Sequence, residues 1–231
     1  MRFLFIRHGE PDYVNDCITP RGQLQAAAAA RRLACENICE IYASPLGRAQ
    51  ETADYTARAL GLKITTLDFM RELYWGGEGL PDNGHIWMLS DRMINEENFD
   101  FSAQDWREHP YFKNNIVMPH YEKVVAGIDE FLESQGYRHE GRRFFCSQEN
   151  TKTIALFSHG GSGGAALSHI LSLPFPYTLC VFPYTFTSVI VVNFPSVPGQ
   201  YVHPRVELFN DAAHIKGFGD HLKLQKESDP V

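Results

Sequence analysis

The sequence predicts an α/β fold in which helices cover a largely parallel sheet. Strand-length apolar runs alternate with helical segments along the chain, as they do in folds of this class. The runs Arg2–Ile6 and Thr153–Ser158 are rich in branched and aromatic residues and show little polar alternation, which is typical of strands buried on both faces. With 231 residues, we expect one domain over residues 1–231 that carries an insertion.

Two helix starts stand out because each combines a capping residue with a proline. Thr19 precedes a proline and predicts a helix with Thr19 as its N-cap. Ser44, also followed by a proline, repeats this signal and predicts a second helix that Gly61 ends. The strands predicted around these helices are Ile38–Ala43 and Leu62–Leu67.

Residues 76–118 interrupt the alternation, and we interpret them as an insertion over one end of the sheet. Glycines crowd at its start, Trp87 marks a short helix, and Asn95–His109 is strongly acidic. The later predicted elements are a helix over Pro119–Glu133, strands over Arg142–Cys146, Thr187–Phe194 and Tyr201–Phe209, a glycine-rich turn over Gly160–Gly164 that leads into a helix over about Ala165–Leu171, and a frayed tail over about 225–231.

Composition and charge exclude several classes of partner. The 28 acidic residues outnumber the 21 basic ones, giving a formal charge of -7, which argues against a nucleic-acid partner. No apolar stretch approaches the roughly 20 residues of a membrane helix, and Met1–Ile6 is too short for the apolar core of a signal peptide. The five cysteines form no C-x-x-C pair. We therefore expect a cytoplasmic protein with free thiols and no membrane partner. Its oligomeric state is not readable from the sequence.

Polar residues follow three of the predicted strands at their carboxyl ends. They are Arg7–Gly9 after the first strand, Ser44–Arg48 after the second and Ser158–Gly161 after the central one. Ligands collect at this edge of a parallel sheet, where helix N-termini also point. Two arginines, two histidines and helix N-termini at one edge predict an anion site, most plausibly for phosphate.

These same segments resemble the histidine phosphatase superfamily, which includes cofactor-dependent phosphoglycerate mutases and ribazole phosphatase-like enzymes. Six motifs match in order and leave only about residues 80–118 and 136–150 outside. They are Phe5–Glu10, Ile18–Ala26, Ser44–Ala53, Arg71–Leu73 with Gly76 and Glu78 following, Ser158–Gly161 and Phe209–Ile215. The resemblance implies a phosphoglycerate mutase-like three-layer sandwich with a mostly parallel central sheet and an insertion over the active site.

The resemblance also implies a mechanism. His8 would attack phosphorus and form a phosphohistidine. Arg7, Arg48 and His159 would hold the phosphoryl oxygens. Glu72 would protonate the leaving oxygen and then activate water. The expected partner is a small phosphorylated metabolite, and no cofactor and no metal is expected because the guanidinium groups supply the positive charge.

Several assignments stay open at this stage. Glu78 rivals Glu72 as the proton donor, with Asp82 and Asp91 next. Asn15 could contact the phosphate, although the asparagine of the family usually lies one residue earlier relative to the histidine. We expect His214 to be structural.

Several functions compete, and hydrolysis of phosphomonoesters is favoured. A cofactor-dependent mutase needs extra basic residues in the insertion, but Asn83–His109 has only Arg92 and Arg107 against six acidic residues. A catalytically inactive phosphate-binding module would typically have lost one of the motif residues. A dinucleotide site over Gly161–Ala166 lacks the acidic residue expected about 20 positions later, and a zinc hydrolase lacks a recognisable ligand spacing.

Overall fold

The computed structural model describes residues 1–182 and 184–218, in which helices flank a central six-stranded sheet. The strands of all the sheets in these residues are β1 (Arg2–Arg7), β2 (Pro11–Asp12), β3 (Cys17–Ile18), β4 (Glu40–Ala43), β5 (Ile64–Thr66), β6 (Tyr137–Glu140), β7 (Arg143–Cys146), β8 (Thr153–Ser158), β9 (Val189–Asn193), β10 (Gln200–Val202) and β11 (Arg205–Asp211). Its α-helices are α1 (Pro20–Leu33), α2 (Gly47–Leu60), α3 (Ile86–Asn95), α4 (Pro110–Lys113), α5 (Val117–Ser134), α6 (Gly160–Ile170) and α7 (Phe175–Val181). The 3₁₀ helices are Asp68–Met70, Pro81–Gly84, Trp106–Glu108 and Ala213–Phe218.

The central sheet is mostly parallel, as predicted, and has the order β11-β9-β1-β8-β4-β5. β1, β8, β4 and β5 are parallel to one another, whereas β9 is antiparallel to both β1 and β11. In the register of the central pair, Arg7 lies opposite Ser158. The carboxyl ends of β1, β8 and β4 therefore meet at one edge of the sheet.

Both faces of the sheet are buried, which explains the apolar runs without alternation. In β1, Phe3 and Phe5 pack into the larger core on the side of α5 and α6, whereas Leu4 and Ile6 pack into the core beneath α1 and α2. Burying both sets of side chains removes apolar surface from water on each face. The predicted α/β architecture is thus confirmed.

The first two predicted helices form, but they begin differently. Thr19 caps α1 by accepting a hydrogen bond from the backbone N–H of Gly22 at 3.0 Å, as predicted. Gly61 ends α2 in the left-handed conformation, with φ at 68°. The prediction that Ser44 starts α2 is wrong, because the N-cap is Leu46 and the Ser44 hydroxyl contacts His159 instead.

The predicted glycine-rich turn at 160–164 is also wrong, because these residues already belong to α6. The glycines serve close packing. A Cβ atom added to Gly161 would lie 2.7 Å from the Glu72 carboxylate, and one added to Gly163 would lie 2.5 Å from the Tyr184 ring. The missing side chains let neighbouring groups approach the first turn of the helix.

The late predicted strand over Tyr201–Phe209 divides into two strands of different sheets. β11 is the edge of the central sheet, whereas β10 pairs with β7 in a separate sheet of order β10-β7-β6. β2 and β3 form a third, two-stranded sheet. Among the described residues no single helix could cross a membrane by length and hydropathy; α6 and α7 pass that test only as a pair, bent by 119°. The tail predicted over 225–231 lies outside the described residues.

Candidate active site

Five polar side chains are buried together at the carboxyl ends of β1, β4 and β8. Arg7 ends β1 and His8 follows it, Ser44 follows β4, and Ser158 ends β8 with His159 next; each is at most 5% exposed. Backbone hydrogen bonds continue the sheet pairing here, since His8 N–H donates to Ser158 O at 3.0 Å and Ser44 N–H to Phe157 O at 2.9 Å. The sheet itself therefore holds these side chains in one place.

The His8 ring is fixed in one neutral tautomer. Its Nδ1 lies 2.7 Å from the carbonyl oxygen of Gly9, and a carbonyl can only accept, so Nδ1 carries the proton. Nε2 then keeps its lone pair. Burial lowers the pKa of His8 well below its ordinary value, and the nearby cations Arg7 and Arg48 lower it further. A neutral imidazole with a free lone pair is the form that can act as a nucleophile.

His159 faces His8, with ring centroids 5.1 Å apart. Its Nε2 lies 2.7 Å from the Ser44 hydroxyl, and its Nδ1 is buried without a hydrogen-bond partner within residues 1–182 and 184–218. Burial lowers the pKa of His159 well below its ordinary value, and His8 and Arg48 add to that effect. His159 can thus offer one ring nitrogen to an oxyanion while Ser44 holds the other.

Two buried arginines supply positive charge to the same place. Arg7 donates from Nη1 to the Tyr184 carbonyl at 2.7 Å, and its guanidinium lies over the Phe186 ring at 4.2 Å. Arg48, in the first turn of α2, donates to Asp16 Oδ1 at 2.6 Å. Because these contacts fix both guanidinium groups in advance, little reorganisation is needed when an anion binds.

Glu72 lies against the N-terminus of α6, directly after His159. One carboxylate oxygen accepts the backbone N–H groups of Ser162 and Leu73, both at 2.9 Å, and the other accepts that of Gly161 at 3.2 Å. Burial raises the pKa of Glu72 above its ordinary value, although these hydrogen bonds and Arg48 oppose the shift. A carboxyl group with a raised pKa is suited to donating a proton near neutral pH.

The other predicted candidates lie apart from this group of contacts. Asn15 is exposed and donates from its side-chain amide to Asp12 at 2.7 Å. Glu78 is exposed in a turn of the insertion. His214 lies 3.2 Å from the hydroxyl of Thr187, consistent with the structural role expected for it. Glu72 is therefore the carboxylate that the fold places beside the second histidine motif.

Comparison with known proteins identifies the family. A sequence model of the histidine phosphatase superfamily (branch 1) matches residues 3–203. This chain belongs to the histidine phosphatase superfamily. A curated relative, the probable phosphoglycerate mutase GpmB of Yersinia enterocolitica, is 26% identical over 93% of this chain and 95% of its own length.

Solved structures related to this superfamily member share its fold at lower identity. A variant phosphoserine phosphatase of Entamoeba histolytica in complex with phosphoserine has a TM-score of 0.61 at 20% identity, over 93% of this chain and 98% of that one. A mycobacterial glucosyl-3-phosphoglycerate phosphatase has a TM-score of 0.61 at 19% identity, over 90% and 98%. A putative alpha-ribazole-5'-P phosphatase of Escherichia coli has a TM-score of 0.60 at 18% identity, over 92% and 98%. The phosphoglycerate mutase-like fold is thereby confirmed.

The insertion contributes one aromatic residue beside the candidate site of this histidine phosphatase. Trp87, on α3, lies next to Gly160, where an added Cβ atom would meet both the indole and the Arg7 guanidinium at 3.5 Å. Trp75 packs edge-on against Trp87 with ring centroids 5.3 Å apart. Trp106 instead packs in the core against Phe112, as is usual for an aromatic residue of an insertion.

Sequence reasoning missed four neighbours of the catalytic motifs. Asp16 binds both Arg48 and the backbone N–H of Gly47, and Ser44 binds His159. Tyr184 and Phe186 hold Arg7 from a loop far along the chain. Of these four residues, only Ser44 lies in a motif recognised from the sequence, and its side chain was expected to cap a helix.

Proposed function

We propose that this protein hydrolyses phosphomonoesters through a covalent phosphohistidine on His8. The observation that carries the proposal is the His8 ring, whose Nδ1 is engaged by Gly9 O and whose Nε2 therefore keeps its lone pair, beside two buried arginines. A neutral nitrogen nucleophile next to fixed cations suits attack on a phosphate dianion.

The reaction balances in two steps. His8 Nε2 forms a bond to phosphorus while the ester P–O bond breaks, and protonated Glu72 gives its proton to the leaving oxygen. A water molecule then attacks the phosphoryl group and Glu72 takes up its proton, while the N–P bond breaks and returns the electron pair to His8. In both steps Arg7, Arg48 and His159 stabilise the charge on the equatorial oxygens.

Glu72 suits both halves of this cycle because opposing effects act on its carboxyl group. Burial raises its pKa and favours the neutral acid, whereas the three backbone N–H donors favour the carboxylate. The acid can therefore protonate a leaving group, and its conjugate base is stabilised after the proton has moved.

Charge pairing in the insertion supports hydrolysis over a mutase reaction. Arg92 is bound to Asp82 at 2.7 Å and to Glu96 at 3.1 Å, and Arg107 lies 3.5 Å from Asp105. Both cations are thus engaged by carboxylates of the insertion itself, which disfavours a second phosphate there. The curated relatives are named as mutases and the solved structures as phosphatases, so both reactions must be assayed.

The substrate class we propose is a small phosphorylated metabolite. The related solved structures carry ligands of this kind, phosphoserine and 3-phosphoglyceric acid in the Entamoeba protein. Two arginines hold the phosphate without a metal ion in this mechanism. The proposed site of action is the cytoplasm, which stays a prediction.

The deciding experiment screens a panel of phosphomonoesters beside a mutase assay with 3-phosphoglycerate and a bisphosphoglycerate primer. We expect phosphate release from at least one ester and little 2-phosphoglycerate. Mutase turnover above phosphatase turnover would contradict the assignment to hydrolysis. Binding of phosphate without any turnover would indicate a catalytically inactive phosphate-binding module. The rate should survive dialysis against a chelator, and vanadate should inhibit as a mimic of the pentacoordinate transition state.

A further inference from the structure

Three potential metal ligands meet far from the candidate active site. Asp129 on α5, His139 on β6 and His169 on α6 bring one atom each to a common point. Asp129 Oδ1 lies 2.9 Å from His139 Nδ1 and 2.8 Å from His169 Nε2, and the two ring nitrogens are 3.1 Å apart. His169 lies ten residues after His159 on the same helix, or about 15 Å along its axis.

Hydrogen bonding alone accounts poorly for this triangle. If only one of the two ring nitrogens carries a proton, the other directs its lone pair at the carboxylate oxygen from less than 3 Å away. If both carry protons, the two N–H groups meet on one oxygen atom although their nitrogens are only 3.1 Å apart. A cation among the three atoms removes the conflict, because both ring lone pairs and the carboxylate then face positive charge.

The donor set and its separations match a first-row divalent ion. Two imidazoles and one carboxylate are ligands that Zn²⁺ binds at about 2.0–2.2 Å, which places tetrahedral ligand atoms about 3.3 Å apart. The observed separations are a few tenths of an ångström shorter, so small outward shifts suffice. The His139 ring is also held in place, stacked on Phe144 at 4.4 Å with an angle of 8° between the planes.

The cluster borders solvent. His139 and His169 line a cavity of about 310 Å³, and the Asp129 side chain is 38% exposed. Three protein ligands would leave the fourth position of a tetrahedral Zn²⁺ ion to water.

We propose that Asp129, His139 and His169 form a Zn²⁺ site that fastens the β6–β7 hairpin to α5 and α6. The site is independent of the phosphatase proposal, since it uses none of the residues of the candidate active site. It would hold the far end of α6, whose first turn binds Glu72. Zinc at this position stabilises the fold and takes no part in bond breaking.

The test measures Zn²⁺ binding to the chelator-treated full chain by calorimetry. We expect one Zn²⁺ per chain and, at about 100 times the Kd, a rise in Tm of roughly 5–10 °C. Co²⁺ should give the intense visible absorption of a four-coordinate site.

Two further variants separate this site from adventitious surface binding. Asp129→Asn keeps the shape of the cluster and should leave the metal-free protein folded by circular dichroism, yet lose the stoichiometric binding and the Tm rise. His203→Gln removes an exposed histidine outside the cluster and should change neither. Absence of stoichiometric binding to the parent protein, or equal binding to Asp129→Asn, would overturn the proposal whatever the phosphatase assays show.

Discussion

Two histidine pairs of this molecule have similar ring separations and opposite electrostatic surroundings. The centroids of His8 and His159 are 5.1 Å apart, and those of His139 and His169 are 4.5 Å apart. The first pair is buried among arginines and contacts a carbonyl and a hydroxyl group. The second pair shares a carboxylate oxygen. The difference lies in the charge that each environment stabilises.

Charge complementarity assigns each pair its ligand. Burial, and with it the fixed cations nearby, lowers the pKa of His8 and His159 and keeps both rings neutral, and the cations attract an anion, which suits a phosphoryl group. The Asp129 carboxylate between His139 and His169 attracts a cation instead. In the two proposals the same residue type therefore serves as a nucleophile in one place and as metal ligands in the other, and variants that break one pair should not reproduce the effects of breaking the other.

The largest expected effect comes from removing the nucleophile. His8→Ala should lose phosphoenzyme trapping and reduce turnover by on the order of 10⁴-fold or more, because the nitrogen proposed to accept the phosphoryl group is removed. The trapped species in the parent protein should be acid-labile and alkali-stable, as phosphoramidates are. His203→Ala, at an exposed position, is the matched control. Full activity in His8→Ala would refute the nucleophile assignment.

The next effect tests the proton donor and depends on the leaving group. Glu72→Gln should slow hydrolysis of an alkyl phosphate by on the order of 10²–10⁴-fold, because an alkoxide leaves poorly without a proton. Phosphoenzyme formation from a nitrophenyl ester should change far less, as measured by single-turnover kinetics. Glu78→Gln is the matched control and should be mild on both esters. The reverse pattern would show that Glu78 is the donor, and no dependence in either variant would direct attention to Asp82 and Asp91.

Local signals predicted the parts of this site that lie within one motif. Arg7, His8, Arg48, Glu72 and His159 were all chosen because each sits in a short segment with a recognisable pattern. The strands β1 and β8 were equally visible, since burial on both faces leaves an unbroken apolar run.

Contacts between distant segments could not be predicted in this way. The Ser44 hydroxyl reaches His159 across 115 residues of sequence, and Arg7 reaches the Tyr184 carbonyl across 177. The early start of α6 was missed for a related reason. A run of glycines predicts a turn. Here Gly161 packs against the Glu72 carboxylate, and the sequence around Gly161 does not show that this distant residue is its neighbour.

A smaller effect should follow from removing a positioning contact. Ser44→Ala leaves His159 Nε2 buried without its partner at 2.7 Å, which costs about 1–3 kcal/mol, or roughly 5–150-fold. We expect a decrease of this size in the rate constant for phosphoenzyme formation and in the affinity for vanadate. Ser102→Ala, at an exposed serine, provides the control. Unchanged vanadate affinity in Ser44→Ala would show that His159 is held by other contacts.

The smallest expected effect is the persistence of neutral His8 as the pH falls. Free imidazole, with a pKa of about 6.5, is about 90% protonated at pH 5.5. Because burial and two arginines lower the pKa of His8 well below that value, its ring should keep the Nδ1–H neutral form at pH values at which the free ring is already protonated. Long-range ¹H–¹⁵N NMR reports this state directly, with the signals assigned by their loss in His8→Ala and a free histidine standard in the same buffers.

Unfolded chains take up the proton near pH 6.5, so the stability that neutral His8 contributes is present above pH 6.5 and declines as the pH falls below it. Protonation of His8 in step with the standard would mean that neither burial nor the arginines lower the pKa of this ring, and the contrast between the two histidine pairs would then lose its electrostatic basis.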